Sequence, residues 1–261
     1  MIDTHVHLDD EKLLPIADEV VQQFTEQGVK LVINNSCDLQ TMTKGIELAE
    51  KYSNVYCTVG MHPHTASQMD SNFLDKLTSL ASHPKVVAVG EIGLDYYYDL
   101  SERNVQRDVF AMQLEYADKL KLPVTLHIRD AYGDALDVLN AQNKFLNQPI
   151  VWHCYSGSAE FARQMVKKGH YFAFGGAITF KNANKQSVID NIPIDRILTE
   201  TDCPYMTPVP FRGKTNMPQF VRYVVEKLAQ MYNVSFNEME RRTEQNCFDV
   251  FGKIDRSKYE Q

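Results

Sequence analysis

Short runs rich in Val, Ile and aromatic residues recur along the chain with amphipathic stretches between them. The runs are IDTHVHL (2–8), VKLVINN (29–35), NVYCTVG (54–60), KVVAVGE (85–91), PVTLHIR (123–129), PIVWHCY (149–155), HYFAFGG (170–176) and DRILTET (195–201), and each fits a strand. Between them, stretches such as LPIADEVVQQFTEQG, LQTMTKGIELAEKY, ERNVQRDVFAMQLEYADKLK and SAEFARQMVKKG carry apolar residues at i, i+3, i+4 and i+7, the stripe of an amphipathic helix. Gly28 and Gly169 follow two of these helices, where a helix stop belongs. Strands alternating with helices imply parallel βαβ units, and eight of them over about 250 residues predict an α/β fold, a (β/α)8 TIM barrel. A doubly wound open sheet is the competing arrangement, but no G-x-G-x-x-G turn or P-loop supports it. NMPQFVRYVVEKLAQMYN and SFNEMERRTEQNCFDVFG add two closing C-terminal helices. No low-complexity or Pro/Gly-rich segment interrupts the pattern, so residues 1–261 are read as one domain.

Composition refines this picture without redirecting it. Apolar residues make up 44% and charged residues 23%, ordinary for a globular chain able to bury a large core. No apolar run approaches the length of a membrane span, and a strand signal at Ile2 leaves no room for a cleaved leader, so a cytoplasmic protein with no membrane partner is expected. Five cysteines without a C-x-x-C pair read as free thiols. Cys154 and Cys203 adjoin candidate ligands, and strand alternation turns both away into packing. A net charge of −7 excludes a protein that coats nucleic acid by charge alone, so an anionic substrate has to be attracted locally, and bound cations supply that attraction. With no coiled-coil seam or symmetric patch legible, a monomer is expected.

The candidate chemistry lies at the strand ends. In MIDTHVHLDD, strict alternation puts Asp3, His5 and His7 on one face and Ile2, Thr4, Val6 and Leu8 on the other. Barrel enzymes build their sites at the C-terminal ends of strands. There strand one carries His5 and His7, strand four Glu91, strand five His127 and strand six His153, with Asp202 directly after strand eight. The same parity turns Thr125, His127 and Arg129 inward and Leu126, Ile128, Ile150 and Trp152 outward onto helices. Any one of these polar residues alone reads as a hydrogen-bonded core group. Six at matching positions point to a divalent-metal site of imidazole and carboxylate ligands. His83, in a turn, and His170, before a strand, read as structural or solvent-facing.

The segments THVHLDD, GMHPH, GEIGLDYYYD, LHIRDA, HCYSG, GGAITFKNA, TETDCPYMTPVPFRGKTNMP and NCFDVFG run in order through the chain. Together they resemble the TatD family of metal-dependent deoxyribonucleases within the amidohydrolase superfamily. The resemblance implies a distorted TIM barrel holding one or two divalent ions. His5, His7 and Asp202 would bind one ion and His127 and His153 the other, with Glu91 bridging where many relatives use a carboxylated lysine. The ion is left open among Zn, Mn and Mg.

For phosphodiester hydrolysis, Asp202 is expected to orient or deprotonate the attacking water, with Glu91 between the ions. Glu200 and Asp3 would accept hydrogen bonds behind the ligands. His62, His64 and Arg129 would contact phosphate oxygens, and Arg212 with Lys214 a more distant phosphate. Asp95 would anchor its loop or a neighbouring histidine. Tyr96, Tyr97, Tyr155 and Tyr205 are placed near the mouth, where rings stack bases of a single strand. The third tyrosine of YYYD leaves open which ring lies nearest the substrate. The expected activity is 3′ to 5′ exonuclease action on single-stranded or frayed DNA, with RNA also admitted. The alternative is a metal-dependent ester or amide hydrolase, such as the D-aminoacyl-tRNA deacylases associated with the family.

Overall fold

Eight parallel strands pair in sequence order in the computed structural model, which describes residues 1–259. They are β1 (Ile2–Val6), β2 (Leu31–Asn34), β3 (Val55–Val59), β4 (Val86–Asp95), β5 (Val124–Arg129), β6 (Ile150–Trp152), β7 (Tyr171–Phe174) and β8 (Ile197–Thr199). The connecting helices are α1 (Ala17–Glu26), α2 (Leu39–Lys51), α3 (Phe73–Ala81), α4 (Arg103–Leu120), α5 (Tyr132–Ala141), α6 (Ala159–Lys167) and the short α7 (Gln186–Ile189), followed by α8 (Val221–Tyr232) and α9 (Phe236–Val250). This is the expected (β/α)8 barrel with its two closing helices. Gly28 and Gly169, just past α1 and α6, end those helices in left-handed backbone angles (φ +83° and +82°) that glycine adopts without strain.

The distortion is a seam. β8 and β1 share no regular ladder; Thr4 Oγ1 donates to Thr199 O (3.1 Å) and Thr199 Oγ1 to Ile2 O (3.0 Å). Beyond β8 the chain keeps company with β1, because Asp202 N–H donates to His5 O and His7 N–H to Cys203 O, each at 2.9 Å. That irregular run carries Asp202 alongside the two histidines of β1.

Strict alternation fails on β1. Ile2 lies with Leu31, Ile33, Val87 and Leu198 in the apolar cluster inside the barrel, whereas Val6 and Leu8 pack outward against helix residues. The β1–β2 register shifts between Asp3 and Val6, which slips the inside-outside phase by one residue and brings His5 inward along with Ile2. β4 is also longer than expected, so Glu91 sits within the strand and Asp95 ends it. On β6 the expectation holds: Trp152 faces out, its ring 6.0 Å from Tyr132 of α5 and 5.1 Å from Phe161 of α6.

α9 closes the opposite end. Cys247, Val250 and Phe251 join the inner cluster, and Asn246 Nδ2 donates to the Ile194 and Ile197 carbonyls (both 2.8 Å), fixing the helix against the start of β8. The N-terminal mouth is plugged by side chains, leaving the C-terminal mouth as the open one.

His170 is structural, as read: it is buried and its Nδ1 accepts the Trp152 indole N–H at 2.9 Å. Burial, with nearby Lys168, pushes its pKa from 6.5 down to about 4. Between those values the unfolded chain binds more protons than the folded one, so stability is lost as pH falls through that window. The expected loss is about 3 kcal/mol at 1.36 kcal/mol per unit. In His170→Asn, urea unfolding should show the wild-type advantage shrinking by that amount from pH 7 to pH 4, and parallel curves would refute the assignment.

Candidate metal centre

Glu91 is the hub of the C-terminal mouth. Its Oε2 lies 3.3 Å from His5 Nε2 and 3.9 Å from His7 Nε2, while its Oε1 lies 2.8 Å from His127 Nδ1 and 3.6 Å from His153 Nε2. The two oxygens of one carboxylate thus face two pairs of histidines. Asp202 Oδ1 stands 3.4 Å from His7 Nε2 and 3.9 Å from both His5 Nε2 and His153 Nε2. All six residues singled out at the strand ends therefore meet in one place, each largely buried.

The hydrogen bonds on the far side of each ring decide what the near side offers. His7 Nδ1 is 3.0 Å from Asn35 O, His153 Nδ1 is 3.0 Å from Glu200 Oε2, and His127 Nε2 is 2.9 Å from Asp95 Oδ2. All three partners accept, so those nitrogens donate, and the neutral rings turn lone pairs toward the centre. His127 Nδ1 then meets Glu91 Oε1 at 2.8 Å, and His7 Nε2 meets Asp202 Oδ1 at 3.4 Å: acceptors face acceptors unless a proton or a cation lies between them.

The electrostatics make the same demand. Although burial favours a neutral acid, His5, His153 and His62 hold the Glu91 carboxyl well below the usual range, and His7 and His153 lower that of Asp202. Against the opposing effect of burial, the carboxylates of Glu200 and Glu91 raise His153 to about 9, and Asp202 raises His7. Positive charge is required here, and mixed imidazole and carboxylate donors around a shared glutamate fit one or two divalent ions.

His62 differs from its neighbours. Its Nδ1 accepts the His64 backbone N–H (3.1 Å), so the neutral ring carries its proton on Nε2, 3.8 Å from Glu91 Oε1. Burial and the neighbouring His127 lower its pKa well below the ordinary value, which keeps the ring neutral. His62 is built to donate into the centre rather than to ligate. His64 is held from behind: its Nε2 donates to the same Asp95 oxygen that His127 uses (2.9 Å). Asp95 therefore anchors two histidines.

Other expected residues are placed less directly. Arg129 lies under Tyr97 and Tyr98, its guanidinium 3.8 and 4.9 Å from their centroids, and those rings are more than half exposed. Tyr96 turns away to donate to Asp134 (2.7 Å), which separates it from the other two rings of YYYD. Tyr155 is buried, its hydroxyl donating to Ser158 O (2.7 Å), so it borders the site as a wall and not as a free ring. Tyr205 is exposed but donates to Asp10 (2.6 Å). Arg212 lines the cavity beside the centre; Lys214 lies instead over Phe211. Asp3 accepts from Thr201 N–H (2.9 Å) and Oγ1 (2.6 Å), bracing the segment that carries Asp202. All five cysteines are free, and Cys203 is buried as expected. Cys154 is a correction: β6 ends at Trp152, Cys154 takes a left-handed φ of +45°, and it lines the cavity.

Sequence reasoning missed the cavity's far wall. Ile178, Phe180, Lys181 and Lys185 follow β7, a strand with no candidate ligand, and the long gap before β8 was the available sign that its loop builds something.

A donor cluster of this kind at the open mouth of a (β/α)8 barrel defines a metal-dependent hydrolase with an amidohydrolase-type fold. The TatD-related DNase family matches residues 2–252, and the chain belongs to that family. It is 39% identical over 252 residues to the uncharacterized metal-dependent hydrolase YabD of Bacillus subtilis, covering 96% of this chain and 98% of that one. It is 34% identical to the uncharacterized metal-dependent hydrolase YcfH of Escherichia coli, covering 96% and 95%. Among solved structures, YJJV, a TatD homolog from Escherichia coli, superposes with a TM-score of 0.90 at 29% identity, covering 97% of this chain and 98% of that one. No described helix is long and apolar enough to cross a membrane.

Proposed function

We propose that the protein hydrolyses phosphodiester bonds at the 3′ end of single-stranded or frayed DNA. His5, His7 and Asp202 would hold one divalent ion and His127 and His153 another, with Glu91 between them. Zn, Mn or Mg bound there would supply an activated water and polarise the phosphoryl oxygens. The observation that carries the reading is the setting of the cluster. Its open side gives onto a cavity of about 520 Å3 whose lining includes Arg129, Lys181, Lys185 and Arg212 but, among the described residues, only one carboxylate, Asp202. In a chain of net charge −7 this is a local site for an anion beside a hydrolytic centre.

The chain's own groups then divide the work. Asp202 borders both cluster and cavity, and it would orient the attacking water and take its proton. His62 Nε2–H would donate to a phosphoryl oxygen, with His64 held beside it by Asp95. Arg129 would meet a phosphate from beneath Tyr97 and Tyr98, and those exposed rings offer faces on which unpaired bases stack. A centre recessed in a barrel mouth admits a strand end more readily than the middle of a duplex.

The test is to strip the protein of metal and supply 5′-labelled single-stranded DNA with Mg²⁺, Mn²⁺ or Zn²⁺ restored separately, beside a His5→Ala/His7→Ala control. The expected result is a metal-dependent ladder shortening from the 3′ end, absent in the control. No cleavage of DNA or RNA at confirmed metal occupancy, with D-aminoacyl-tRNA turned over instead, would move the reaction to ester hydrolysis.

A further inference from the structure

Asp95 ends β4 fully buried, and its two oxygens are claimed by two different parts of the mouth. Oδ2 accepts from His64 Nε2 and His127 Nε2, both at 2.9 Å. Oδ1 accepts the backbone N–H groups of Tyr97 and Tyr98, at 3.0 and 2.9 Å, and so fixes the turn whose rings cover the Arg129 guanidinium. Buried Gln106 of α4 braces that turn from behind: its Oε1 accepts the Asp95 N–H (2.9 Å) and its Nε2 donates to Ser101 O (2.8 Å). Ser101 Oγ donates in turn to His64 O (3.1 Å). Four donors thus fill the acceptor positions that one carboxylate offers.

The two kinds of donor differ in what they can do. A backbone N–H can only donate, whereas a neutral imidazole can turn acceptor by moving its proton to the other ring nitrogen. For His127 that move has a consequence. Its Nδ1 faces Glu91 Oε1 and the centre, and a proton placed there occupies the lone pair that an ion needs. His127 is therefore open to an ion only while its Nε2–H finds an acceptor at Asp95.

We propose that Asp95 is a positioning residue that couples the metal centre to the aromatic rim, keeping His127 open to an ion with the same carboxylate that fixes the Tyr97–Tyr98 turn. The proposal rests on the reading above for the ion at His127, and not for the bond that is cut. Coupling of this kind is reciprocal. An ion on Nδ1 pins the His127 ring and with it the carboxylate, so the rim turn is held more firmly in the loaded protein.

Asp95→Asn, studied with zinc, tests this because the amide keeps the shape but has one oxygen. That oxygen should stay with the two backbone N–H groups, which have no alternative, and the NH₂ should turn to the rings, one hydrogen to each. His64 and His127 should then carry their protons on Nδ1 instead of Nε2, read from nitrogen-15 spectra of the imidazoles. Zinc affinity at one site should fall about 10- to 100-fold, the usual cost of losing such a partner. Hydrogen exchange at the Tyr97 and Tyr98 amides should remain slower than in Asp95→Ala, which offers the turn no acceptor at all. In the wild type, stripping zinc should speed exchange at those two amides about fivefold or more. Wild-type zinc affinity in Asp95→Asn, or rim exchange indifferent to zinc in the wild type, would overturn the coupling. The two readings fail separately. A wild type that binds no zinc sinks both, the expected pattern in a protein that leaves DNA intact sinks only the nuclease, and DNA cleavage with both ions held in Asp95→Asn sinks only the coupling.

Discussion

Glu91→Gln is expected to lower turnover by about a thousandfold or more, some 4 kcal/mol of activation free energy, and to leave no more than one ion tightly held. The reason is geometric. Oε1 faces His127 and His153, and Oε2 faces His5 and His7, so one carboxylate serves both halves of the cluster. A glutamine keeps the shape but turns an amide N–H₂ toward one half, where a donor repels a cation, and removes the negative charge shared by both. The histidines around it also lose the charge that helps keep His153 positive in the metal-free protein. Metal content and turnover, measured on the same loaded sample, check this. Two ions retained at wild-type affinity, with turnover within tenfold, would show that Glu91 does not join the halves.

How much of this was legible beforehand follows from which physical signal each feature leaves. Eight strands and their helices were readable because burial on two faces writes continuous Val/Ile runs and helix stripes write a 3.6-residue period. The six ligand candidates were readable because polar groups in or just beyond apolar strands stand out. Alternation beyond a strand's end was not. A register shift on β1 exchanges inside and outside with no mark in IDTHVHL, and a strand stopping at Trp152 frees Cys154 to turn into the cavity. Hydrogen bonds to main-chain acceptors were hidden for a different reason. The carbonyl of Asn35, which fixes the His7 tautomer, exists at every position of every sequence, and only the fold selects it. The pocket wall after β7 was lost because loops have no period. Phe180 and Lys181 acquire meaning only once Thr179 and Lys185 are seen tied to neighbouring loops.

Asp202 differs from Glu91 in what it touches, and that sets a second large effect. Glu91 is 3% exposed and enclosed by histidines, whereas Asp202 lies at the boundary, its Oδ1 near three imidazole nitrogens and its side chain lining the cavity. A carboxylate in that position can reach both an ion and the proton of a water attacking a substrate in the cavity. Asp202→Asn is a clean probe, since φ is +58° and asparagine tolerates the left-handed region as well as aspartate does. The expected result is a fall in turnover of about 10²- to 10⁴-fold, the usual worth of a positioned general base. KM should change little and the thermal midpoint should be retained. Metal titration separates the two roles open to the residue. If saturating metal restores turnover, Asp202 acts only by holding an ion. If turnover stays low with the centre fully loaded, the missing group is the one that takes the proton, and the boundary between cluster and cavity is where the bond is broken.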